Sequence, residues 1–259
     1  MPFPRLFALA LAFAAAAVPV PALATPPAIA AAADLQFALA ELADRYRSAT
    51  GREVRLAYGS SGNFAQQIAN GAPFELFLSA DEFYVEHLAA RGLARDAGTL
   101  YGIGRVVLFV PARSPLKADA TLADLRAAVA DGRVRRFAIA NPEHAPYGRA
   151  ARDVLQSAGL WEPLRGALVL GENASQAMQF AAGGNAQGGI VPLSLARAPE
   201  IAKLGSAALL PESLHKPLRQ RMVLLKRAGP QAADFYRWLQ TPPAREVFAR
   251  HGFALPGEN

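Results

Sequence analysis

Apolar residues along the chain follow two periods that take turns. Leu35, Leu39, Leu42 and Tyr46 are spaced by four, three and four positions, the stripe of a half-buried helix, whereas Val54, Leu56 and Tyr58 alternate as in a strand. A strand at 28–32 precedes that helix. Asp34 stands at its start and Gly51 at its end, the residue types that favour an N-terminal cap and a left-handed C-terminal cap. The motif recurs. A turn at 59–62 leads into a short helix carrying Phe64 and Ile68, a strand is predicted at 74–78, and Asp81 opens a helix that stops at Gly92. Arg105 to Val110 is a β-branched run broken by Pro111.

A second set begins at Thr121: helix 122–130, strand 137–140, helix 147–158, strand 167–170, helix 174–182 and strand 188–191, the last stopped by Pro192. A returning strand at 221–225 and a pair of helices carrying Phe235, Trp238, Leu239 and Phe248 close the chain. Alternating strands and helices predict an α/β fold with mainly parallel sheets flanked by helices. No Pro/Gly/Ser linker divides the halves, so the chain is expected to cross between two lobes near residues 104 and 221. Lobe 1 then comprises 25–104 plus 222–259, and lobe 2 comprises 105–221. A cleft between such lobes is a usual place for a small ligand.

The beginning of the chain reads differently. Arg5 precedes an apolar run from Leu6 to Val18, too short for a stable membrane span, and Ala22-Leu23-Ala24 is a small-x-small cleavage pattern. Residues 1–24 are read as a cleaved signal peptide, and the mature protein as exported to the periplasm without a lipid anchor. Cysteine is absent, which excludes disulfides and thiolate metal sites. The four histidines show no metal-binding spacing. A formal charge of +6, one unit of it on Arg5, favours anions but is diffuse; the densest cluster, Arg133, Arg135 and Arg136, lacks interleaved aromatics and is read as a solvated face rather than a nucleic-acid site.

Several turns share one situation, in which the carboxyl end of a strand passes into a helix N-terminus: Ala33-Asp34, residues 60–63, Tyr147-Gly148 and Asn173-Ala174. Ligands of open α/β sheets bind at that edge, and helix N-termini offer unpaired amides and the positive end of the helix dipole. Several of them meeting in one cleft make an anion site without a buried cation. Ser60, Ser61 and Tyr147 add hydroxyl donors, which a deprotonated tetrahedral anion requires all round. Each turn taken alone is better explained as a good helix cap, although the run of small polar residues at 59–62 leaves an unusually bare helix entrance.

Residues 31–35 (Ala-Ala-Ala-Asp-Leu), 58–68 (Tyr-Gly-Ser-Ser-Gly-Asn-Phe-Ala-Gln-Gln-Ile), 71–81 (Gly-Ala-Pro-Phe-Glu-Leu-Phe-Leu-Ser-Ala-Asp), 141–148 (Asn-Pro-Glu-His-Ala-Pro-Tyr-Gly) and 189–191 (Gly-Ile-Val) together resemble the periplasmic molybdate-binding proteins of ABC transporters. The resemblance runs through nearly the whole mature chain. It implies a two-lobed type II periplasmic binding protein fold and a monomer. It also implies molybdate or tungstate held by hydroxyls and amides with no cofactor and no bare metal ion, a membrane permease as partner, and no enzymatic activity. Carried over position by position, its ligand-binding residues fall on Asp34, Ser61, Tyr147, Ala174 (through the backbone amide) and Pro192.

Two of these depart from the pattern. A carboxylate about 4 Å from a dianion is repelled by roughly 8 kcal/mol at an effective dielectric near 20, so Asp34 is expected to turn back as a cap toward the amides near Gln36 and Phe37. Pro192 has neither hydroxyl nor N–H, and Tyr147 or Ser194 is expected to replace the lost donor. Two competing readings follow from the same residues. Phosphate or sulfate replaces molybdate if the cavity suits them, and protonated phosphate favours an inward-facing Asp34 as acceptor. A secreted serine hydrolase would use Ser61 with His144 as base, although 59–63 lacks the last glycine of the nucleophile-elbow pattern.

Overall fold

A computed structural model describes residues 25–257. The signal peptide read at 1–24 lies outside the described residues.

Strand β1 (Ala28–Ala32) runs through a single 3-10 turn (Ala33–Leu35) into α1 (Gln36–Thr50), which ends where Gly51 adopts φ 68°. β2 (Arg55–Gly59), α2 (Ser61–Ala69), β3 (Leu76–Ser79) and α3 (Glu82–Ala90) follow, then β4 (Thr99–Gly104). After a single residue the chain enters β5 (Val106–Pro111), and continues through α4 (Ala123–Ala130), β6 (Phe137–Ala140), α5 (Pro146–Ser157) and the short α6 (Trp161–Leu164). β7 (Leu168–Gly171), α7 (Ala174–Ala182), β8 (Gly188–Pro192), the one-turn helices α8 (Leu193–Ala196) and α9 (Pro199–Ala202), and β9 (Gly205–Leu209) complete this half. β10 (Leu218–Leu224) returns, and α10 (Pro230–Trp238) and α11 (Pro242–Arg250) close the fold.

The strands form two five-stranded sheets, ordered β2-β1-β3-β10-β4 and β7-β6-β8-β5-β9. In each, three parallel strands wind in the order second, first, third; a fourth, β10 or β5, joins them antiparallel, and the edge strand, β4 or β9, pairs antiparallel with that one and so runs with the first three. Four of the five strands in each sheet thus run the same way, the mainly parallel arrangement that the repeat pattern predicts, and one reversed strand makes each sheet mixed. The reason lies in the crossings: β5 enters the second sheet, and β10 re-enters the first, from the opposite lobe and so against the direction of its neighbours. The second-first-third order reverses the direction of winding at the first strand, and the crevice beyond the carboxyl ends of the strands there is the ligand position of doubly wound sheets.

Helices cover both faces of the first sheet, so its strands are buried on both sides. Ile29 and Ala31 face Leu39, Tyr46, Phe235 and Phe248, while Ala30 faces Phe64, Ile68, Val85 and Leu88. Burial of each large side chain contributes about 1.5–3 kcal/mol. Two strands escape the periodicity. β4 contains two glycines, and β9 is a largely exposed strand of small residues at the sheet edge. β10 begins three positions before Arg221, because Arg219 and Gln220 give its start a polar look although Gln220 is wholly buried.

Candidate anion-binding site between the two sheets

The carboxyl ends of β1, β2 and β3 and the N-termini of α2, α5 and α7 meet around a cavity of about 10 Å³. Its walls include Asp34, Ser61, Ala80, Tyr147 and Ala174, so four of the five residues singled out in the sequence come together there. Pockets for drug-sized organic ligands are far larger, about 300 Å³ upward, whereas this cavity has the room of about one water. Pro192 does not join them. It ends β8 opposite Val106, and with no N–H it has nothing to give an anion.

Ser61 is the first residue of α2 and is wholly buried. Its Oγ accepts from the Ala80 amide at 3.0 Å, which leaves the hydroxyl proton to be donated. Ser60 caps the same helix, accepting from the Asn63 amide at 3.3 Å. Ala174 begins α7, whose cap is Asn173 accepting from the Gln176 amide at 3.0 Å, and Tyr147 follows Pro146 in the first turn of α5. Amides at these first positions have no acceptor within their own helices. The cavity therefore sees three helix N-termini, one from the first lobe and two from the second.

Asp34 does not cap α1. The helix start has no side-chain cap, and the carboxylate points inward instead. Gln220 Nε2, on β10, donates to Asp34 Oδ2 at 2.8 Å and lies 3.0 Å from the Tyr147 hydroxyl, while Gln220 Oε1 accepts from Tyr101 at 2.6 Å. The capping expectation fails because a partner 186 positions away outcompetes the local amides. Asp34 Oδ1 is buried and has no hydrogen-bond partner among the described residues. Burial pushes the Asp34 carboxyl up to about 6, with the Gln220 amide and the Tyr147 hydroxyl working against it. Burial, and secondarily the Asp34 charge, holds the Tyr147 hydroxyl far above its ordinary range, so it remains a donor. Gly104 makes the arrangement possible, since a Cβ there would fall 2.4 Å from the Tyr147 hydroxyl and 2.6 Å from Gln220 Nε2.

Around the cavity the lobes touch directly. Ser194 donates to the Asp34 carbonyl at 2.8 Å, and Ser175 Oγ lies 3.0 Å from the Ala33 carbonyl and 2.8 Å from Gln36 Oε1. Ser194 is thereby committed and does not replace the donor missing at Pro192. On the other flank the Gly62 amide donates to the His144 carbonyl at 2.9 Å, and Arg149 pairs with Asp81 at 2.5 Å and with the Tyr84 hydroxyl at 2.7 Å. A roomier groove of about 420 Å³ opens beside that pair, lined by Phe83, Arg149, Arg152 and Lys216. The smaller cavity is the candidate site, because three helix N-termini and Asp34 line it.

His144 contacts Ser60, not Ser61, with Nδ1 at 2.9 Å from Ser60 Oγ and Nε2 at 3.5 Å from Glu172. Ser60 is engaged as a helix cap and buried, a poor position for a nucleophile. No cluster of three or more metal-ligating side chains occurs among the described residues, and no helix among them is long and apolar enough to cross a membrane. Of the Arg133 cluster, Arg133 pairs with Asp131 at 2.8 Å, and the amides of Arg135 and Arg136 bind Gln187. Sequence reading missed Gln220 and Tyr101. The signal for Gln220 was present: it shares the inward face of β10 with Leu218 and Met222, one polar residue on an apolar stripe.

Comparison with known proteins agrees with this geometry. Residues 28–254 match the family model described as bacterial extracellular solute-binding protein. The chain is 38% identical over 216 residues to the molybdate-binding protein ModA of Rhodobacter capsulatus, covering 82% of each chain, and 36% identical over 231 residues to that of Azotobacter vinelandii, covering 88% of this chain and 89% of the other. The solved periplasmic molybdate-binding protein of Azotobacter vinelandii superposes with a TM-score of 0.81 at 31% identity, covering 89% of this chain and 99% of that one. With its two-lobed fold and its cavity between the sheets, the chain belongs to the bacterial extracellular solute-binding protein family.

Proposed function

We propose that this chain is a periplasmic solute-binding protein that captures molybdate or tungstate and delivers it, as a monomer, to the membrane permease of an ABC transporter. The observation that carries the reading is the convergence of the N-termini of α2, α5 and α7 on one small cavity. Ser61, Tyr147 and Ala174 stand there as the donors, and no side-chain cation among the described residues lines it. Oriented amides stabilise an anion without the desolvation of a buried Lys or Arg. The relatives named as molybdate-binding supply the identity of the ion.

The proposed mechanism is capture by closure. The lobes, one built on the first sheet (25–104 with 218–259, since β10 puts the second crossing before Leu218 and not near 221) and one on the second sheet, come together on the anion, which stabilises the closed form by binding it better than the open one. No bond is made or broken. A second reading, hydrogen phosphate, is favoured by one observation, the unpartnered Asp34 Oδ1, which would accept the proton that phosphate carries. A thermal-shift panel separates the two: the ion present at about 100 times its dissociation constant adds roughly 2.7 kcal/mol of stability. Stabilisation by molybdate and tungstate at concentrations where phosphate and sulfate have no effect is expected. The reverse order would make this a phosphate-binding protein. Labelling of Ser60 by a fluorophosphonate would instead favour the hydrolase reading.

A further inference from the structure

We infer that the site takes up its oxyanion together with one proton, carried by Asp34 Oδ1 and donated to the nearest ligand oxygen, so that capture of a fully deprotonated dianion is coupled to proton uptake from solution. This inference rests on the oxyanion-capture reading above.

The geometry leaves Asp34 few alternatives. It lines the cavity and is 1% exposed; its Oδ2 has the Gln220 amide, and its Oδ1 has no partner among the described residues. A negative Oδ1 beside a dianion is repelled at short range in a site with little water to screen it. A neutral carboxyl reverses this, because Oδ1–H becomes the donor that an acceptor-only anion requires.

The groups facing Asp34 do not supply that neutralisation. From α5 comes the Tyr147 hydroxyl and from β10 the uncharged Gln220 amide, with the Tyr101 hydroxyl of β4 behind it. From α8 the Ser194 hydroxyl binds the Asp34 carbonyl, and from α7 Ser175 binds Ala33 and Gln36. Both tyrosine hydroxyls are held protonated by burial. Arg219 and Arg221 flank Gln220 on β10 but turn to the other side, where both pair with Glu82. With no cation against it, the cheapest counter-charge for Asp34 is a proton. Burial already holds its carboxyl up to about 6, and an anion in the cavity holds the proton harder still. Once Asp34 is neutral, the Tyr147 hydroxyl no longer faces a carboxylate, and its proton also turns to the ligand.

The test is titration calorimetry of molybdate and tungstate into the full mature protein. Measurements at about pH 8 in buffers of different ionisation enthalpy give the proton count, and a series from about pH 5.5 to about pH 9 gives the affinity profile. Uptake near one proton per anion is expected at the higher pH, with the dissociation constant weakening by about tenfold per pH unit and levelling off below about pH 6. In Asp34→Asn, whose amide donates without titrating, the uptake disappears and the profile flattens. Binding without uptake in the wild-type protein, at an affinity independent of pH, overturns the inference and leaves the capture reading standing. Uptake that persists in Asp34→Asn removes Asp34 as the carrier. Absence of binding of either ion at any pH overturns the capture reading and this inference with it. The wild-type proton count decides the matter even if the variant folds poorly.

Discussion

At the scale of single residues the site is a set of donors with one acid among them. Ser61 illustrates the donors. Its oxygen is occupied by the Ala80 amide, so its proton is directed elsewhere, and Ser61→Ala is expected to weaken anion binding by about 1–3 kcal/mol, the range for a hydrogen bond to a charged group. Calorimetry checks this, and an unchanged dissociation constant would remove Ser61 from the site. Asp34 illustrates the acid, and it marks the ligand-free protein as well. Its folded carboxyl binds a proton up to about 6 and the unfolded one near 3.8, so the folded state holds the extra proton between those values. Stability therefore falls as the pH rises through that window, and the full deficit, about 3 kcal/mol at 1.36 kcal/mol per pH unit, is present above it. Asp34→Asn is expected to raise the unfolding midpoint at about pH 7.5 and to leave it unchanged near pH 4. Equal midpoints at both values would mean that the carboxyl is not strained by burial.

Asp34 is also where local reading misleads. An Asp at a strand end before an apolar stripe carries the signature of a cap, and Asp81, in the same setting, does cap its helix by accepting from the Phe83 amide at 2.9 Å. What separates the two is Gln220, which arrives from a strand that the chain reaches only after building the other lobe. No local pattern contains that information, although the lone polar residue on the inward face of β10 marks where to look.

At the scale of elements, the helix entrances were legible because their chemistry is local. Small and capping residues at 59–62 and at Asn173-Ala174, and Pro146 ahead of Tyr147, announce N-termini without reference to the rest of the molecule. β4 and β9 were not, because glycines and small exposed residues carry no period. The α2 entrance also meets the other lobe. A Cβ on Gly62 would lie 2.6 Å from the His144 carbonyl oxygen, so Gly62→Ala is expected to hold the lobes apart on that flank. We expect at least about tenfold weaker binding, roughly 1.4 kcal/mol. The ligand-free unfolding midpoint should move little, because Gly62 lies at the lobe contact and belongs to neither core. Unaltered affinity in this variant would show that closure does not bring α2 against the His144 loop.

At the scale of the whole molecule, two sheets of the same winding order point the carboxyl ends of their parallel strands at one place. The alternation of strands and helices conveyed the α/β class and the two lobes. The antiparallel members β5 and β10 follow from the chain crossing between lobes, a fact of connectivity that period alone does not record. The central claim is that oriented amides and hydroxyls, brought from both lobes, hold an oxyanion in the small cavity without a side-chain cation. The most direct measurement is a crystal structure grown with tungstate, whose tungsten is located by anomalous scattering. One tungsten peak is expected within the cavity, its oxygens in hydrogen-bond reach of Ser61 Oγ, the Tyr147 hydroxyl and the Ala174 amide. A peak in the groove beside Arg149, or anywhere outside the cavity, would contradict it.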